Sequence, residues 1–199
     1  LTSNQPLAQG DIFIRGASDI ERLPKGLAGQ ALRMNVGATA PEWSAAWTYT
    51  APVSLVGLAT NDWTGVPSSV TEIKVILSLV SMSGANHLDI LLGTSGGMVS
   101  TGYYSVTSTI DTTAAATNSS TVSFQVFSGG AVDAMSGFLT LLKGDGNKWF
   151  ISGTVARGGA KTSFSTGEVD LGAALTQLRI KSSGVNTFDG SSTAYLAYR

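Results

Sequence analysis

Glu72-Ile-Lys-Val-Ile-Leu-Ser-Leu79 is the stretch on which the fold class turns. Ile73, Val75, Leu77 and Leu79 fall at every second position, with Glu72, Lys74, Ile76 and Ser78 between them. A period of two sends alternate side chains to opposite faces of an extended strand, so Ile73, Val75, Leu77 and Leu79 are expected to point inward. The pattern recurs along the chain. Val122, Phe124 and Val126 alternate with Ser123 and Gln125; Leu178 and Ile180 alternate with Gln177, Arg179 and Lys181. Trp149, Ile151, Gly153 and Val155 share one face opposite Phe150, Ser152 and Thr154.

Further strands are expected near residues 54–60, 87–92, 100–107, 137–143, 161–170 and 193–198. Turn signals lie between them: Ser83-Gly-Ala-Asn86, Gly93-Thr-Ser-Gly-Gly97, Ser128-Gly-Gly130, Gly144-Asp-Gly-Asn147 and Gly158-Gly159. Glycine supplies positive φ in such turns, and Lys143-Gly-Asp-Gly-Asn-Lys148 reads as a tight hairpin. About ten strands joined by short turns predict an all-β fold, a β-sandwich of jelly-roll type. Asp111-Thr-Thr-Ala-Ala-Ala-Thr-Asn-Ser-Ser120 is low in complexity and reads as an exposed loop, with a short helix through its alanines as the alternative.

The first part of the chain has a different texture. Gly16, Pro24, Gly26, Gly29, Gly37 and Pro41 interrupt it, and no helical period survives. One short helical turn over Leu27 to Met34 is the exception considered. Apolar side chains there are too few to offset the entropy of ordering the backbone, so this arm is expected to need partners. Residues 1–52 are therefore read as an extended, mostly irregular arm for anchoring and oligomerisation, and residues 53–199 as the sandwich head.

The arm reads G-D-x-x-x-R-x-x-S-x-I-x-R-L-x-x-G-x-x-G-Q-x-L, followed by P-x-W. Its residues are Gly10, Asp11, Arg15, Ser18, Ile20, Arg22, Leu23, Gly26, Gly29, Gln30, Leu32, Pro41 and Trp43. This pattern resembles a segment that recurs in tailed-bacteriophage fibre and appendage proteins. The stretch Asn61-Asp-Trp-Thr-Gly-Val-Pro-Ser-Ser-Val-Thr-Glu-Ile-Lys-Val-Ile-Leu-Ser78 is similar to the start of a β-sandwich module of phage tail fibres and virion spikes. Ile90-Leu-Leu-Gly-Thr-Ser-Gly-Gly97, Ser100-Thr-Gly-Tyr103, Thr187-Phe-Asp-Gly190 and Tyr195-Leu-Ala-Tyr198 continue that likeness. In that module Trp63 opens a strand, and we read it as core.

Composition bounds the chemistry. Charged residues make up 13% of the 199, against about 25% for an ordinary domain. The formal net charge is −1 with no block of like charges, so no basic patch for nucleic acid is expected. There is no cysteine, hence no disulfide and no thiolate metal site. No apolar run nears the length of a membrane span, and membrane insertion is not expected. The chain opens on Leu1 without a signal-peptide pattern and reads as a fragment or processed product, with further sequence expected before it.

Gly93-Thr-Ser-Gly-Gly97 has the outline of a serine-protease nucleophile loop, and His87 lies eight residues upstream of Ser95. A nucleophilic serine needs a base in reach and a third group to orient it. Nothing marks that group, so a glycine-rich turn is the better reading. His87 reads as a surface or edge-strand residue and Asp145 as part of its hairpin. Asp62, Asp89, Asp111, Asp133, Glu168, Asp170 and Asp189 sit on separate elements, with no pairing to suggest glycoside hydrolysis. Tyr103, Tyr104, Trp149, Tyr195 and Tyr198 could stack on sugars, but packing is the commoner role for strand aromatics. Recognition is expected in loops, which favours segments 111–120, 128–135 and 157–163. No catalytic, cofactor-binding or metal-ligating residue and no cofactor is expected.

The resemblance implies a non-enzymatic structural protein of a tailed-bacteriophage virion, assembled in the bacterial cytoplasm. It implies a homotrimeric fibre or spike. The arm attaches to other virion proteins, and the sandwich projects outward for host attachment through a surface glycan. The alternatives are a capsid decoration or head-fibre protein without receptor binding, and a carbohydrate-binding receptor-recognition module.

Overall fold

Strand character governs the chain from end to end, and no helix occurs among the described residues. The computed structural model describes residues 6, 8–35, 37–44, 46–111, 115–126 and 133–199. It divides into two compact units, Leu1–Thr48 with Arg199, and Tyr49–Tyr198.

The first unit carries β1 (Ile12–Arg15) paired with β2 (Ile20–Leu23), and β3 (Leu32–Met34) paired with β4 (Pro41–Trp43), both antiparallel. β5 (Thr48–Tyr49) follows. The arm is thus two short hairpins rather than irregular chain, and Leu27–Met34 holds a turn and a strand instead of a helical turn. Polar and aromatic side chains between Asp11 and Trp43 build it. Asp11 accepts from the amides of Ala8 (2.7 Å) and Lys25 (3.1 Å) and pairs with Arg22 at 3.0 Å. The Ala8 amide leads the contacts that hold its carboxyl below the usual carboxylate range. Gln30 accepts from the Leu27 amide at 2.7 Å, and the Trp43 indole donates to the Pro24 carbonyl at 2.7 Å. Gly26 lies so close to that indole that a Cβ would stand 2.6 Å from the ring. These are polar clasps. No apolar side chain is buried among the described residues of this unit; Phe13, Ile20, Leu27, Leu32 and Met34 stand exposed.

The second unit carries β6 (Val53–Ser54), β7 (Thr60–Thr64), β8 (Glu72–Met82), β9 (Leu88–Thr94), β10 (Gly97–Met98), β11 (Tyr104–Ile110) and β12 (Ala115–Ser120). It continues with β13 (Phe124–Val126), β14 (Met135–Lys143), β15 (Lys148–Arg157), β16 (Lys161–Asp170), β17 (Gln177–Ser182), β18 (Phe188–Asp189) and β19 (Thr193–Tyr198). The large sheet runs β12–β11–β16–β15–β14–β8–β19, and the small one β10–β9–β17–β7 with β13 added to β9. β6 pairs with β19, and β18 with β8. Thr50 closes the β19 edge: its amide donates to the Leu196 carbonyl and its hydroxyl accepts from the Leu196 amide, both at 2.9 Å.

The two sheets share one core, as expected of a sandwich. Ile73, Val75, Leu139, Leu141, Trp149 and Ile151 of the large sheet meet Ile90, Leu92, Phe124, Leu178 and Ile180 of the small one. Trp63 joins them at 8% exposure, and each large side chain so buried contributes about 2 kcal/mol. Alternation holds along β15 and β17. It fails at two positions. Leu79 was expected inside, but the β8–β14 register slips between Met135 and Gly137, so Ser78 and Leu79 oppose Ser136 alone. Leu79 is 51% exposed at φ 52°, its amide donates to the Ser136 hydroxyl at 2.9 Å, and Val80 takes the buried place. Val122 lies in a bend before β13 and is likewise exposed. Residues 115–120, expected in a loop, form strand β12, because its six residues find a ladder along β11.

Three strand glycines let the backbones of the large sheet crowd together. A Cβ on Gly137 would stand 2.8 Å from the Thr154 carbonyl oxygen, and one on Gly153 2.7 Å from that of Phe138. One on Gly167 would stand 2.4 Å from the Tyr104 carbonyl oxygen. Glycine where another backbone approaches this closely permits the sheet to curl. Gly167→Ala is therefore expected to cost about 1–3 kcal/mol. Urea unfolding followed by circular dichroism measures this, and an unchanged midpoint would refute the crowding.

Candidate functional site

Ser95 and His87 do not meet. Ser95 sits in the turn between β9 and β10, where Thr94 pairs with Gly97 at φ 118°. His87 precedes the other end of β9, so seven strand residues, roughly 23 Å of extended chain, lie between them. The glycine-rich run is a turn, as its composition suggests. Asp145 also behaves as its hairpin requires: its carbonyl accepts from the Lys148 amide at 3.2 Å and its carboxylate from the Gly146 amide at 2.9 Å.

The scattered carboxylates each have a local partner. Arg179 grips Asp62 with two bonds of 2.6 and 2.7 Å, which leads the causes lowering the Asp62 pKa. Lys148 stands 3.7 Å from Glu168, Ser81 donates to Asp189, and the Gly172 amide donates to Asp170 at 3.0 Å. Of the aromatics considered, Trp149 and Tyr103 are buried. The Tyr103 hydroxyl accepts from the Leu92 amide at 2.8 Å and donates to the Val99 carbonyl at 3.1 Å. Burial pushes its pKa up to about 12. Tyr195 and Tyr198 are half-buried, whereas Tyr104 is 70% exposed.

Polar chemistry gathers at one end of the sandwich. Antiparallel register brings the end of β11, the start of β12, the start of β14, the end of β15 and the start of β16 to that end. The start of β9 and the end of β13 lie together there by their own pairing. The three expected recognition segments converge on it; within them, residues 112–114 and 128–132 lie outside the described residues. Arg157, with 1% of its side chain exposed, donates to Asp133 at 2.6 Å and to the Thr109 hydroxyl at 2.7 Å. Lys161 approaches the same Asp133 oxygen at 3.4 Å.

A second group adjoins it. Asn118 donates to Gln125 at 2.8 Å and its amide nitrogen lies 3.2 Å from His87 Nε2. Gln125 opposes Asp89 in the β13–β9 ladder, and Lys181 stands 3.9 Å beyond Asp89. Burial pushes the Asp89 pKa up, with Ser123, Gln125 and Lys181 opposing it. Burial likewise pushes the His87 pKa down, Asp89 opposing and Arg157 assisting. The His87 ring is thus held neutral, as a hydrogen-bonding group. On the outward side of the β11–β12 ladder, Val106, Thr117 and Ser119, with Asn118, line a depression of about 380 Å³.

The ensemble ties the loop ends together through hydrogen bonds. Arg157 was not singled out from the sequence, although alternation from Trp149 through Val155 places it on the inward face of β15. Asn118 and Gln125 carried no such signal, because their meeting depends on the curl of the sheet. Comparison with protein-family models, with curated proteins and with solved structures found no match.

Two measurements test this account. Asp133→Ala leaves the buried Arg157 guanidinium without its carboxylate and is expected to cost about 3–5 kcal/mol in equilibrium unfolding. A cost below about 1 kcal/mol would show that the pair is not the closed cluster described. The His87 shift has the opposite sense to a histidine gaining an anion. The folded ring refuses a proton that the unfolded chain accepts, so stability present above the ordinary imidazole pKa falls as pH drops through it. His87→Gln should flatten that part of the pH–stability curve; an unchanged slope would refute the assignment.

Proposed function

We propose that the chain is a non-enzymatic structural protein of a tailed-bacteriophage virion, a homotrimeric fibre or spike assembled in the bacterial host cytoplasm. Residues 1–52 attach to the particle and its other proteins, and the β-sandwich serves adhesion to a host-surface glycan. The observation carrying this reading is the first unit, whose hairpins are clasped by Asp11, Arg22, Gln30 and Trp43 while none of its described apolar side chains is buried. A segment so built gains stability by docking, because exposed Phe13, Leu27 and Met34 are buried only by a neighbour.

The sandwich supports the adhesive half. Beside its loop ends lie the half-buried amides of Asn118 and Gln125, groups of the kind that recognise sugar hydroxyls. A jelly-roll-like wrapping belongs to the same reading, since the chain passes from β8 in the large sheet to β9 in the small and back at β11.

Antibody raised against the purified chain is expected to decorate an appendage of tailed particles from an infected host in negative-stain images. Label confined to the soluble fraction and never on a particle would overturn the virion assignment. Labelled intact chain should bind host cells saturably at micromolar concentration. Decorated particles without such adhesion would leave the decoration role alone.

A further inference from the structure

The outer face of the large sheet is unusually apolar for a surface facing water. Phe138, Thr154 and Phe164 stand side by side across β14, β15 and β16. Two positions pairs along, Leu142, Phe150, Glu168 and Tyr104 form a parallel row. Phe138 is 52% exposed, Phe164 43%, Leu142 52%, Phe150 40% and Tyr104 70%, and Ile110 extends the face on β11. Threonine and serine fill most of the intervening outward positions of these strands. Charge is sparse in the middle, where Lys74 lays its ammonium 5.4 Å above the Phe138 ring. Glu168, between Phe150 and Tyr104 in the second row, has Lys148 at 3.7 Å.

Leu79 adds an independent sign. It occupies the left-handed region on β8, at φ 52°, and keeps an exposed leucine side chain where asparagine or glycine would sit at ease. That conformation is disfavoured for a branched L-residue. Strain retained at an exposed apolar position points to use.

Size and chemistry indicate the occupant. Five strands about 4.8 Å apart, each giving four outward positions about 6.7 Å apart, cover roughly 600 Å². Polar positions included, that approaches the roughly 800 Å² that each partner gives to a stable interface. A face enriched in aromatics and hydroxyls, with few charges among them, has the make-up of a protein interface. We infer that this outer face, on β8, β14, β15, β16 and β11, is where copies of this chain pack against one another. The inference rests on the proposed self-assembly and locates it on the sandwich rather than on the first unit.

Sedimentation velocity on the intact chain tests it. The wild type is expected to be oligomeric at micromolar concentration, and Phe138→Lys with Phe164→Lys to weaken assembly by about 100-fold. Val185→Lys, at a 97% exposed position away from this face, should leave assembly unchanged. Circular dichroism melts confirm that each variant folds, and the milder Tyr104→Ser with Phe150→Ser should weaken assembly as well. A monomeric wild type at high micromolar concentration overturns both the inference and the proposed self-assembly. An oligomer indifferent to both double variants overturns the inference and leaves assembly through the first unit standing. Monomers that bind bacterial polysaccharide through Phe138 and Phe164 would make the face a ligand platform and overturn it too.

Discussion

Gly137, Gly153 and Gly167 let three adjacent strands of the large sheet approach where no side chain fits between them. A sheet made only of β-branched residues would hold its strands further from bending. Here the crowding curls the β11–β12 side, and Asn118 on that side meets Gln125 of a strand belonging to the small sheet. The shared apolar core and the polar end are therefore products of the same bend. Apolar burial supplies the drive to bring the sheets together, and the glycines decide how far one of them wraps.

The buried charges at that end follow from the wrapping. Arg157 points inward by the alternation of β15, and an inward guanidinium is tolerable only with an anion and a hydroxyl at hand. Asp133 and Thr109 supply them. Asp89 and His87 stand in the same low-dielectric region without so close a counter-charge, and both are pushed toward their neutral forms. The result is a loop platform fixed by hydrogen bonds rather than by packing alone.

How much of this was written in the sequence varies by element. The inward faces of β15 and β17 follow from a period of two, and the β14–β15 hairpin from Gly144-Asp-Gly-Asn147. The inward place of Leu79 failed because a bulge inserts one residue, and a bulge has no signature in alternation alone. Strand β12 was hidden because Ala, Asn and Ser, which make up most of it, have weak strand preference, and the β11 ladder overrides it. The arm was legible as poorly cored, while its hairpins were not, because side chain to backbone clasps such as Asp11 with Ala8 and Lys25 join residues that no periodicity links. The Asn118–His87 approach needed the curl, a property of the whole sheet.

The four indoles fall in pairs, and this gives the molecule two separate optical voices. Trp43 and Trp47 are half-buried in the first unit, one donating to a carbonyl and the other under the Arg199 guanidinium at 4.8 Å. Trp63 and Trp149 lie in the apolar interior of the second, their ring nitrogens without a hydrogen-bond acceptor among the described residues. Emission from the inner pair lies toward the blue, while that of the outer pair shifts with whatever settles around the hairpins. Intrinsic fluorescence thus separates events in the two units without any added dye.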